Sequence, residues 1–139
     1  MLKIHTKKPE IFKPKVEVAC CWISNQGKVL MLRKTSVWPG KWVLPGGKLE
    51  TGESPLEAVV REVREETTIL LDDPSLAKTF YIENPSYGPY VLHCFKQQLA
   101  MQPEAIIDEE HDMWGWFSRD EYSKLDLIPG QTTILEHLS

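Results

Sequence analysis

The stretch Gly47–Ile69, GKLETGESPLEAVVREVREETTI, constrains this chain most, because it specifies where a helix starts, which way it faces and what it carries. Ser54 is an N-cap residue, Pro55 suits the first helical position, and Glu57 completes a capping box with Ser54. From that start, Leu56, Val59, Val60 and Val63 follow the i, i+3, i+4, i+7 spacing of a buried face. Glu62, Glu65 and Glu66 fall within an arc of about 100° beside it. The spacing therefore predicts a helix, running to about Thr67, that docks by an apolar stripe and lines the stripe's edge with acids. Upstream, Pro45-Gly46-Gly47 reads as a turn in which backbone groups approach a ligand because no side chains intervene.

Each like-charged pair on one helix side costs a few tenths of a kcal/mol, about 0.2–0.5 in an isolated helix. A chain that keeps this cost uses the carboxylates together, and a divalent metal is the natural reason. A stretch such as REVREE is by itself usually a solvated face, but its context points elsewhere. The spacing Gly47, five residues, Glu53, seven residues, Arg61-Glu62-Val63, one residue, Glu65-Glu66, two residues, Ile69 resembles the signature of the Nudix hydrolases. Six charged or glycine positions match, and chance agreement per starting point is on the order of 10⁻⁷ at ordinary residue usage. One position departs from the pattern. Nudix helices usually close on glycine where this chain has Thr68, and a β-branched residue is penalised in the left-handed conformation. Either the helix ends with another geometry or Thr68 is strained, which bears on the placement of Glu66.

The resemblance implies an α/β class chain, a Nudix-type α/β/α sandwich with a mixed β-sheet, and cleavage of a diphosphate linkage in a nucleoside diphosphate derivative. Carried over by position, Glu62, Glu65 and Glu66 resemble the metal ligands, with Gly46 offering a backbone carbonyl and Glu53 supporting them. Arg61 resembles the arginine that holds the catalytic glutamates, although ion pairs with Glu57 and Glu65 along the helix are an equal alternative. Glu110, with Glu109 next, is the candidate for a further acid remote in sequence, serving as metal ligand or general base. Glu65 competes for the role of base, and an acidic loop is otherwise simply solvated. Oxygen ligands that must also hold phosphates suit Mg²⁺, with Mn²⁺ as a substitute.

Arg33 and Lys34 end a strand, so only one of them should face the site, where it would neutralise a phosphate. Leu44 matches an apolar packing residue of relatives. Gln131 occupies a region where MutT-like enzymes put a polar side chain against the base edge, or else it is only a first-turn residue of the last helix. The leading reading is MutT-like hydrolysis of a nucleoside triphosphate to monophosphate and pyrophosphate. The alternatives are an ADP-ribose or dinucleotide polyphosphate hydrolase, with Pro85 and Tyr87 as weak markers, and a non-catalytic nucleotide sensor on the same fold. Sensors commonly lose box acids, whereas Glu53, Glu62, Glu65 and Glu66 are all present.

The remainder reads as strands around VEVACCWI, KVLMLRK, WVLP, KTFYIE, YVLHCFKQQLA and MWGWF, with a short helix capped by Ser118 and a terminal helix after Gly130. A chain of 139 residues is expected to be one domain, residues 1–139, with residues 1–14 as an N-terminal extension. The net charge of −4 argues against a nucleic-acid polymer and for small nucleotides. The start has no apolar run, so neither a membrane span nor a secretory signal is expected and the location is cytoplasmic. Cys20, Cys21 and Cys94 lack zinc-site spacing and read as buried thiols, and the four histidines are scattered.

Overall fold

The computed structural model describes residues 1–139. The strands are β1 (Lys3–His5), β2 (Val16–Asn25), β3 (Lys28–Lys34), β4 (Trp42–Val43), β5 (Gly46–Lys48), β6 (Ser75–Asn84), β7 (Gly88–Gln98) and β8 (His111–Phe117). The helices are α1 (Pro55–Thr67), α2 (Arg119–Tyr122) and α3 (Gln131–Leu138). The strands form one mixed sheet of order β1-β6-β7-β2-β3-β4, with β5 paired to β2 and β8 paired to β3. Residues expected as an N-terminal extension thus contribute a strand, β1, antiparallel to β6.

Alternation along β2 divides the core. Ala19, Cys21 and Ile23 face α1 through Val59 and Val63, whereas Cys20 and Trp22 face α3 through Ile134, Leu135 and Leu138. Helices therefore cover both faces, the sandwich that the resemblance implied. The β2–β3 hairpin turns through Gln26 and Gly27, both at positive φ, as a tight hairpin requires. All three cysteines are buried and free, as read from the sequence.

Beyond that hairpin, β2 runs parallel to β7, and its first half pairs with β5 through Val18↔Lys48, Ala19↔Gly47 and Cys20↔Gly46. The Gly46-Gly47 segment is thus a strand and not the expected turn. Its glycines matter for close approach. A Cβ on Gly46 would lie 2.2 Å from the Ala19 carbonyl oxygen, and one on Gly47 would lie 2.4 Å from the carboxyl carbon of Glu62.

Helix α1 starts as the sequence dictates. The Ser54 hydroxyl accepts from the Glu57 amide at 3.1 Å and the Glu57 carboxylate accepts from the Ser54 amide at 3.0 Å. Its buried face is rotated from the expected one. Ala58, Val59, Val63, Glu66 and Thr67 are buried, Val60 is half-buried and Leu56 is 48% exposed. Leu56 lies in the first turn, where the helix leaves it half exposed.

The helix closes on Thr68 at φ 64° and ψ 4°, with its amide donating to the Arg64 carbonyl at 2.8 Å. This is the strained alternative for the glycine departure. The Thr67 hydroxyl bridges the end by donating to the Val63 carbonyl at 2.7 Å and accepting from the Ile69 amide at 3.1 Å. Thr68→Gly is expected to stabilise the fold by about 0.5–1 kcal/mol, because relief of left-handed strain exceeds the added backbone entropy of the unfolded chain. Urea unfolding measures it, and an unchanged or lower midpoint would refute the strain.

Candidate active site

Helix α1 brings Glu62 and Glu66 against β5, where the missing Cβ of Gly47 leaves room for the Glu62 carboxylate. Glu66 is 4% exposed, and its Oε1 accepts from the Gly46 amide at 2.8 Å. No basic side chain pairs with it. Burial pushes its carboxyl up to about 9, reinforced by the charges of Glu62, Asp108 and Glu110. Glu62 is raised by the same cause in milder form, with Arg61 opposing and Glu65 and Glu110 adding. Glu65 stands exposed on the outer edge.

One guanidinium organises this cluster. Arg61 donates from Nε and Nη2 to the two oxygens of Glu53 at 2.7 and 2.9 Å, from Nη1 to Glu62 at 2.9 Å and Glu65 at 3.2 Å, and from Nη2 to the Lys48 carbonyl at 3.1 Å. Glu53 is thereby held down at about 2, by Arg61 first and by the Glu50 amide second. A carboxylate so occupied is a strut for Arg61 and a poor proton acceptor. The helix pair with Glu65 exists, but no bond to Glu57 does, so Arg61 is chiefly a brace joining the loop at Glu53 to the helix.

The loop before β8 completes the acid cluster. Thr35, just beyond β3, donates its amide to the Glu110 carbonyl and its hydroxyl to the Glu109 carbonyl, each at 3.0 Å. Glu110 is exposed, and its charge reaches both Glu62 and Glu66. Asp108 and His111 also stand beside Glu66, and the sequence reading passed over both. The i, i+3 spacing of Asp108 and His111 next to Glu110 was the available signal.

The remaining candidates separate. Arg33 is bound by both oxygens of Asp112, at 2.8 and 3.2 Å, and lies over the Trp42 ring, so it is engaged within the protein and not free for a phosphate. The partner comes from β8, across the sheet, and is invisible to a reading along β3. Lys34 is opposite His111 in the β3–β8 ladder and makes no salt bridge. Leu44 is buried in the α3-side core and packs there, as its apolar character suggests. Gln131 is in the first turn of α3, 5% exposed, with no hydrogen bond from its side-chain amide.

The family model of the NUDIX domain matches residues 13–138. This chain is a Nudix hydrolase. The Nudix hydrolase YvcI of Bacillus subtilis (strain 168) is 31% identical over 125 residues, covering 87% of this chain and 77% of that protein. The nucleoside triphosphatase NudI of Enterobacter sp. (strain 638) is 30% identical over 123 residues, covering 79% of this chain and 86% of its own. A MutT NUDIX hydrolase from Burkholderia pseudomallei superimposes with a TM-score of 0.80 at 25% identity, covering 91% of this chain and 99% of that one. As a Nudix hydrolase the protein is a nucleotide pyrophosphohydrolase of a metal-dependent family, acting on nucleoside diphosphate derivatives. No helix is long and apolar enough to cross a membrane.

Proposed function

We infer that this Nudix hydrolase converts a nucleoside triphosphate to the monophosphate and pyrophosphate, with Mg²⁺ held by Glu62, Glu65, Glu66 and Glu110 and by the Gly46 carbonyl. The observation that carries the reading is a carboxylate, Glu66, buried against β5 with no basic partner, beside two more acids held in place by one arginine. A buried carboxylate is stable in its charged form only with a cation, and this donor set of oxygens suits a hard divalent ion. When bound, such ions neutralise the diphosphate and make water more acidic. The chain's own part is to keep Glu62 and Glu65 aimed through Arg61 and Glu53, to offer Glu65 or Glu110 as proton acceptor, and to leave Lys34 for a phosphate. The similarity to the nucleoside triphosphatase NudI supports the substrate class.

A screen of nucleoside triphosphates, ADP-ribose and dinucleotide polyphosphates with product identification tests it. Expected are monophosphate and pyrophosphate, and no turnover once a chelator has stripped the metal. Release of terminal orthophosphate alone, or full turnover after verified metal removal, would overturn the reading. A preference for ADP-ribose would keep the site and change the substrate.

Gln131 supplies a second handle. An amide with no partner inside the protein, whose polar atoms reach solvent, is able both to donate and to accept at a base edge. Gln131→Ala is expected to change the ratios among nucleotides while total turnover on the best one stays within a few-fold. Unchanged ratios would leave Gln131 as a helix residue.

A further inference from the structure

Glu66 has a second set of neighbours that the helix acids do not explain. One ligand atom from each of Glu66, Asp108 and His111 lies within 4.8 Å of the other two. Neighbouring ligands on an octahedral ion with bonds of about 2.1 Å lie roughly 3 Å apart, so the three groups would draw inward on binding a metal. The His111 side chain is 4% exposed, and its Nδ1 is 2.7 Å from Asp108 Oδ1. Glu66 is equally buried, and only its Oε1 receives a hydrogen bond, from the Gly46 amide. Two nearly inaccessible groups with lone pairs to spare thus converge on one point.

The convergence is built by the backbone. The Ile106 amide donates to the Thr67 carbonyl at 3.0 Å, immediately after Glu66, and Thr35 holds the carbonyls of Glu109 and Glu110. The loop carrying Asp108 and His111 is therefore fastened to the end of α1 on one side and to the end of β3 on the other. The Asp108 Oδ1 contact engages His111 Nδ1 and leaves Nε2 as the ring nitrogen open to a metal, with the second oxygen of Asp108 unengaged.

We propose that Glu66, Asp108 and His111 form a mixed nitrogen and oxygen site for a divalent transition metal ion, sharing Glu66 with the all-oxygen Mg²⁺ ligands Glu62, Glu65 and Glu110 but differing from them in metal preference. The proposal rests on Glu66 being a metal ligand, as in the proposed function. Magnesium takes oxygen ligands almost exclusively, whereas an imidazole favours first-row transition metals. The protein therefore retains one Mn²⁺ in the presence of excess Mg²⁺.

The test is Mn²⁺ binding to the full-length protein, followed by electron paramagnetic resonance with a pulsed measurement for nitrogen coupling. Expected is one Mn²⁺ held at least about tenfold more tightly than Mg²⁺, with a directly bound nitrogen. His111→Gln should abolish the nitrogen coupling and weaken Mn²⁺ about 10- to 100-fold while Mg²⁺ affinity changes less than about threefold. The nitrogen signal of the unmodified protein decides the matter even if His111→Gln fails to fold. Tight Mn²⁺ without nitrogen coupling, weakened by Glu66→Gln, would overturn this proposal and spare the Glu66 reading. Metal binding indifferent to Glu66→Gln would overturn both.

Discussion

Glu65→Gln and Glu66→Gln will each lower turnover at least about 100-fold while leaving a folded protein, because several kcal/mol of transition-state charge stabilisation depends on metal held by these oxygens. The two variants should differ in stability. Glu65 is exposed and bonded only to Arg61, so its replacement changes the metal-free fold little. Glu66 is different, since burial raises its carboxyl from the ordinary 4.5 to about 9. The folded state therefore binds the proton more tightly than the unfolded chain, and this contribution is full below about 4.5 and lost as pH rises through about 9. In chelator, the melting temperature of the wild-type protein should fall across that window, and Glu66→Gln, which keeps an oxygen for the Gly46 amide, should flatten the fall. Metal binding has the opposite sign, because the ion competes with the proton, so activity should favour alkaline conditions. Near-normal turnover in both variants would return α1 to a solvated face, and an activity optimum near pH 5 would contradict the linkage.

Arg61 carries the second large effect. Its five hydrogen bonds hold three carboxylates and a strand carbonyl in one geometry, and a displacement of about 1 Å at a reacting centre costs on the order of 100-fold. Arg61→Ala is expected to reduce turnover by about that factor even at saturating metal. Arg61→Lys should recover little of it, because an ammonium has three donors and no planar fork to match both oxygens of Glu53. Glu53→Gln combined with Arg61→Lys should be far less than additive, since the first change already frees the brace. A lysine variant with near wild-type turnover would show that the network serves only the helix.

What was legible in the sequence is what short-range chemistry sets. The start of α1 follows from Ser54, Pro55 and Glu57 because capping closes within one turn of chain. The hairpin after Asn25 follows from the Asn25–Gly27 stretch, although it is Gln26 and not Asn25 that joins Gly27 at positive φ, and the burial of Cys20 and Cys21 follows from a continuous apolar run. The grouping of Glu62, Glu65 and Glu66 follows from helical spacing alone. Thr68 was readable as either of two endings, and only the packed chain selects the strained one.

Residues distant in sequence escaped because nothing local marks their partners. Gly46 and Gly47 read as a turn by composition, yet their place beside β2 makes them a strand. Leu56 fits the periodicity of a docked stripe but is half exposed, and Glu66 occupies the buried face instead. Arg33 has its carboxylate on β8, 79 residues away. His111 and Asp108 meet Glu66 only because the loop before β8 is tied to both α1 and β3. The sequence by itself determined the helix, its acids and the family, since periodicity, caps and spacing act over a few residues. The tertiary structure alone decided which acid is buried, that Arg33 is engaged by Asp112 and what stands opposite Glu66, because burial and charge compensation depend on strands brought together across the whole chain.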